Sequence, residues 1–92
     1  MKVFEWLAAT NPNKKGTSRV DHARLYAMRA RVCLKAGTNL QTLAGAKTRG
    51  AIGRGLIQRL ALATQEDEEC ALSNMIIRWE DEVTEIAEAK AA

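Results

Sequence analysis

Cysteine, histidine, proline and aromatic residues are all scarce in this 92-residue chain: two cysteines, one histidine, one proline and four aromatic rings. Each scarcity excludes something. Cys33 and Cys70 are far apart with no ligand spacing around them, and His22 is alone. These three cannot form a zinc set without remote carboxylates. Two cysteines allow one disulfide pairing; the expected state is two buried, reduced thiols. Four aromatic rings give little packing area, and alanine, which adds helix propensity but little burial, supplies a large share of the 47% hydrophobic content. The core is therefore expected to be thin.

Long apolar runs are missing too. No stretch approaches the roughly 20 apolar residues that cross a bilayer, and Glu5 interrupts the opening "MKVFEWLAAT" before it could act as a targeting segment. A cytoplasmic protein that makes no membrane contact is the expectation. Catalytic constellations are equally absent. Asp21 and His22 are neighbours in sequence, and adjacent helical residues do not face each other. No serine or cysteine stands at a nucleophile spacing from them. "GAKTRGAIGRG" contains glycines and Lys47-Thr48, but their order is not that of a P-loop and no apolar strand precedes them. The chain is expected to be no enzyme, with no cofactor and no metal.

Acids are nearly missing from the first two thirds. Residues 1–60 carry twelve Lys or Arg against Glu5 and Asp21, a net +10, whereas residues 61–92 carry nine acids against Arg78 and Lys90, a net −7. The overall +3 hides this polarity. Such a split points to contact with nucleic acid, or to association between unlike ends.

What is present is helical. "KVFEWLAA" predicts one or two helical turns carrying Phe4, Trp6 and Leu7, and "NPNKKGTS" predicts a loop. Ser18 is a good N-cap for a helix reaching Ala36, where Gly37 stops it. That helix has two apolar stripes: Val20, Ala23, Ala27, Ala30 and Leu34, then Leu25, Met28 and Val32. Two stripes predict two packing neighbours, with Arg24, Arg31 and Lys35 on a line between them.

Thr38 or Asn39 can cap a short helix with Leu40, Leu43 and Ala44, and Thr48 can cap another with Ile52, Leu56, Leu60 and Ala63. Gly50, Gly53 and Gly55 weaken its first turns by roughly 0.5–1 kcal/mol each, so irregular backbone is expected near 45–50. The span from Thr42 to Leu60 has the outline of a helix-turn-helix without the customary glycine separation. Thr64 is taken to cap a long acidic last helix, with Leu72, Ile76, Trp79, Val83 and Ile86 as one apolar seam.

The sequence thus predicts one all-α domain over residues 1–92, a bundle of four to five helices with a long acidic C-terminal helix lying over the helix from Ser18. Its expected role is that of a small accessory binding protein. Lys14, Lys15, Arg24, Arg31, Lys35, Lys47, Arg49, Arg54 and Arg59 are the pool for contact with nucleic acid or a nucleoprotein complex. Small accessory proteins of phages and mobile elements share this size and type. The alternative is an interaction module that self-assembles, or binds a partner protein, through the Leu72–Ile86 seam.

Overall fold

A computed structural model describes residues 1–82. Five helices appear in the order α1 (Val3–Ala9), α2 (Arg19–Ala36), α3 (Leu40–Arg49), α4 (Arg54–Glu66) and α5 (Glu68–Leu72). Helical backbone begins again at Trp79 and continues to residue 82. The protein is mostly helical, and none of the described residues forms a strand. No helix among the described residues is long and apolar enough to cross a membrane.

Local chemistry sets most boundaries. The Ser18 hydroxyl accepts a hydrogen bond from the Asp21 backbone N–H at 3.1 Å, and the Asn39 side chain accepts from that of Thr42 at 2.8 Å. Both are N-caps that satisfy donors the first turn leaves unpaired. Three helices end the same way, on a left-handed residue with a backbone bond reaching back five positions. Thr38 bonds to Cys33 past Gly37, Ala51 to Ala46 past Gly50, and Met75 to Cys70 past Asn74. These are Schellman ends, which glycine and asparagine accept at low cost.

The core gathers one face from each helix. Val3, Trp6 and Leu7 of α1 meet Met28, Val32 and Cys33 of α2, and Leu43 of α3 joins them. Ile57, Leu60 and Ala61 of α4, with Cys70 and Ile77, complete the cluster. α2 and α4 form the largest helix pair. α4 therefore occupies the place over α2 that the sequence assigned to a long C-terminal helix.

That long helix is corrected in two places. Thr64 does not cap it; α4 runs through Thr64, whose buried hydroxyl donates to the Ala61 carbonyl and accepts from the Ile77 N–H. The cap is Asp67, whose backbone ends α4 and whose carboxylate accepts from the Cys70 N–H at 3.1 Å to start α5. α5 then stops at Leu72, because Asn74 takes a φ of 55°. Residues 73–78 are not helical, and this segment is tied to the chain's start. Arg78 donates to the Met1 carbonyl, and the Met1 ammonium meets the Ile76 carbonyl at 2.8 Å and Asp81 at 3.0 Å.

The glycine-rich stretch is corrected as well. Residues 45–49 are helical, and Thr48 lies inside α3, its hydroxyl bonded to the Ala44 carbonyl. The break falls at residues 50–53, and Gly53 rather than Thr48 precedes α4.

Candidate nucleic-acid interface

α2 places Arg24, Arg31 and Lys35 on one side of its cylinder, at spacings of seven and four. Opposite them lies the α4–α5 junction with its run of acids. Arg31 Nε meets Asp67 Oδ1 at 2.9 Å, and Arg31 Nη2 meets Glu69 Oε2 at 2.8 Å. Arg24 reaches Glu69 at 3.9 Å and Asp21 at 3.6 Å, while Lys35 Nζ donates to the Glu66 carbonyl at 3.1 Å. The hydrogen bond from Arg31 holds the Asp67 carboxyl down at about 2, and the two acids in turn raise the pKa of Arg31. Three cations assigned to an external partner are thus engaged inside the chain. Part of the charge polarity along the sequence is local pairing in space, of Arg24 and Arg31 with Asp67 and Glu69.

Four other assigned cations are differently placed. Lys47 and Arg49 lie in the last turn of α3, Arg54 opens α4, and Arg59 follows one turn later. All four are exposed, and none is in an ion pair with an acid of the described residues. The Arg49 guanidinium folds back over Gly45, where an added Cβ would sit 3.0 Å from Nη1. Lys14 and Lys15 are apart from this group. They line a shallow depression of about 300 Å³ with Asp21, Arg24 and Met75, and no residue of α3 or α4 borders it.

α4 has two distinct sides. Ile57, Leu60, Ala61 and Thr64 point into the core. Arg54, Gln58, Arg59, Leu62 and Gln65 form the outer side, with Leu62 59% exposed. Its first turn has no side-chain cap, because Gly53 has no side chain to offer. Gln58, Leu62 and Gln65 were not in the pool drawn from the sequence. Their signal was the period of Ile57, Leu60, Ala61 and Thr64, which leaves them on the opposite side.

The chain matches no protein-family model, no curated protein and no solved structure.

The seam is not one helix face. Leu72 ends α5 and is 81% exposed, Ile76 belongs to the non-helical segment, and Trp79 packs partly buried on the core. Val83 and Ile86 lie outside the described residues. Trp79 instead lines a depression of about 280 Å³ with Phe4, Ile52, Arg54 and Glu82. The α2 stripes also part company. Leu25, Met28 and Val32 are buried, but Val20 is 77% exposed and Leu34 82% exposed, with Ala23, Ala27 and Ala30 open between them. α2 has one packed flank, not two.

Other titratable groups are accounted for by local structure. His22 stacks on Tyr26 with ring centroids 6.5 Å apart on the surface of α2. Arg29 donates to the Thr10 hydroxyl at 3.0 Å and to the Leu7 carbonyl, tying α1 to α2, and its partial burial lowers its pKa. Cys33 and Cys70 are buried and free. Burial pushes the Cys70 thiol up to about 12 and raises that of Cys33.

Proposed function

We propose that this chain is a small, non-enzymatic accessory protein that binds nucleic acid, alone or in a nucleoprotein complex, through the face made by α3 and α4. One observation carries the reading. Lys47, Arg49, Arg54 and Arg59 face solvent without an acidic partner among the described residues, while Arg24, Arg31 and Lys35 are engaged internally. Unpaired cations can exchange counterions for phosphates at little desolvation cost. The uncapped first turn of α4 adds backbone N–H donors beside Arg54.

The test is fluorescence anisotropy across about 50–200 mM salt. Two to four phosphate contacts on duplex DNA give a slope between about −1.8 and −3.6, an affinity loss on the order of 10- to 10²-fold over that range. Replacing Lys47 and Arg49 by Ala should reduce the slope by about two. A salt-independent affinity, or no binding at the low-salt end, refutes the reading.

A second reading has its own support. The open stripe from Val20 to Leu34 fits a self-assembling module whose contact lies on α2 rather than on the Leu72–Ile86 seam. Sedimentation equilibrium decides it: a dimer that Leu34→Asp converts to a helical monomer supports self-assembly, and a monomeric wild type rejects it.

A further inference from the structure

Resting on the nucleic-acid reading above, we propose that the partner is duplex DNA and that α4 enters its major groove, reading base edges with Arg54, Gln58, Arg59, Leu62 and Gln65. Four residues, 50–53, join α3 to α4, and they begin with the left-handed Gly50. A glycine-bearing turn of that length also joins the helices of helix-turn-helix units, whose second helix lies in the groove; here α4 packs chiefly on α2 rather than on α3. α4 has 13 residues and spans about 20 Å at 1.5 Å per residue. The major groove, about 12 Å wide, admits a helix, and the minor groove, about 6 Å wide, does not.

The outer side of α4 has the chemistry that groove calls for. Arginine pairs with guanine O6 and N7, glutamine with adenine N6 and N7, and an aliphatic side chain meets the thymine methyl. Arg54 and Gln65 are separated by about 16 Å along the helix axis, close to five base-pair steps. A surface that only gripped phosphate would need no exposed leucine and no pair of amides. No acid of α4 itself lies on this side before Glu66 at its far end, while Glu82 lines the depression beside Arg54 and Asp81 the one beside Gln65. Gly53 and Gly55 flank Arg54 with open space at their Cβ positions, so the leading end of α4 is slim. Lys47 and Arg49 lie in the last turn of α3, just before the turn, and in this proposal contact the flanking backbone, Arg49 by swinging away from Gly45.

Single strands and RNA fit this face less well. Bases of single strands stack on exposed aromatic rings; α3 and α4 contain none, and Phe4 and Trp79, which line the depression beside Arg54, are partly buried. The major groove of A-form RNA is too narrow to be read by side chains.

Selection from a pool of random duplexes, followed by sequencing, tests the proposal on the full chain. Wild type should enrich a site of about five base pairs, with preference at one position falling roughly tenfold in Gln58→Ala. Gln58 is exposed, so its variant should keep its helical circular dichroism and thermal midpoint. Leu62→Ala is a second variant, expected to relax preference at a thymine. If wild type binds duplex DNA with the steep salt slope but enriches no site, groove reading is overturned and the backbone-contact function survives. Tighter binding to single strands or double-stranded RNA likewise overturns it. No binding to any probe at low salt refutes both.

Discussion

The Arg31–Asp67 link separates cations that hold the fold from cations free to meet a partner, and it can be tested by a double-mutant cycle. Asp67 is 3% exposed, and its carboxyl is held at about 2 instead of 3.8. At about 1.4 kcal/mol per unit, that difference corresponds to roughly 2 kcal/mol. The Arg31 side chain is 44% exposed, so solvent screening reduces the pair to about 1–2 kcal/mol. Asp67→Asn should therefore destabilise by about that much and keep the α5 cap. Asp67→Ala should cost about 1 kcal/mol more, because the Cys70 N–H loses its acceptor. The cycle with Arg31→Ala, followed by urea unfolding, should return a coupling of about 1–2 kcal/mol. Arg31→Ala should also leave the nucleic-acid affinity of the folded protein within about twofold, whereas the Arg54→Ala and Arg59→Ala pair should weaken binding with stability unchanged to about 0.5 kcal/mol. A coupling below about 0.3 kcal/mol, or a reversal of the two classes, refutes the division.

Trp6 is fully buried and Trp79 only partly so; Trp6→Ala should cost roughly 3–5 kcal/mol and leave the chain largely unfolded by circular dichroism, with Trp79→Ala markedly milder. Equal losses would contradict this placement of the core. Because the folded-state pKa of Asp67 is depressed, its stabilisation is present above about pH 4 and is lost as pH falls toward 2. Urea midpoints measured from pH 7 to pH 2 should show that step, and Asp67→Asn should remove it; an unchanged step in the variant assigns it elsewhere. Burial keeps both thiols protonated, so a thiol reagent at pH 8 should find almost none in the folded protein and two in denaturant. Rapid labelling without denaturant refutes their burial.

Helix type and most starts were legible in the sequence because caps are local. Ser18, Asn39 and Gly37 act within four residues of their own position, and no tertiary context is needed to predict them. The misplacements share one cause. Thr64 and Asp67 are three residues apart, and both residue types can cap a helix. What decides between them is distant: Ile77 takes the Thr64 hydroxyl, and Arg31 takes the Asp67 carboxylate. Asn74 is of a type that can end a helix, but the spacing of Leu72, Ile76 and Trp79 runs across it without being a helix face, since Leu72 is exposed and Ile76 lies in the non-helical segment. The α2 stripes could not be ranked from the sequence, since both have helical spacing and only the packing of α1 and α4 selects Leu25, Met28 and Val32.

The same reasoning explains the candidate site. A count of charge along the chain cannot distinguish a cation that meets an acid 36 residues away, as Arg31 does, from one that meets none. Nine cations therefore formed one pool in the sequence, and three separate groups in the fold. Arg24, Arg31 and Lys35 bind the α4–α5 junction to α2, where their removal acts first on stability. Lys14 and Lys15 line a separate depression with Asp21, away from α3 and α4. Only the α3–α4 group joins unpaired cations to amides and an exposed leucine on one helix side. A partner that merely sought positive charge would be served by Lys14 and Lys15 as well as by the α3–α4 group; one that reads edges as well as charge is served by the α3–α4 group alone. Substitutions of Gln58 and of Leu62, which change no charge, therefore discriminate more sharply than any lysine or arginine variant.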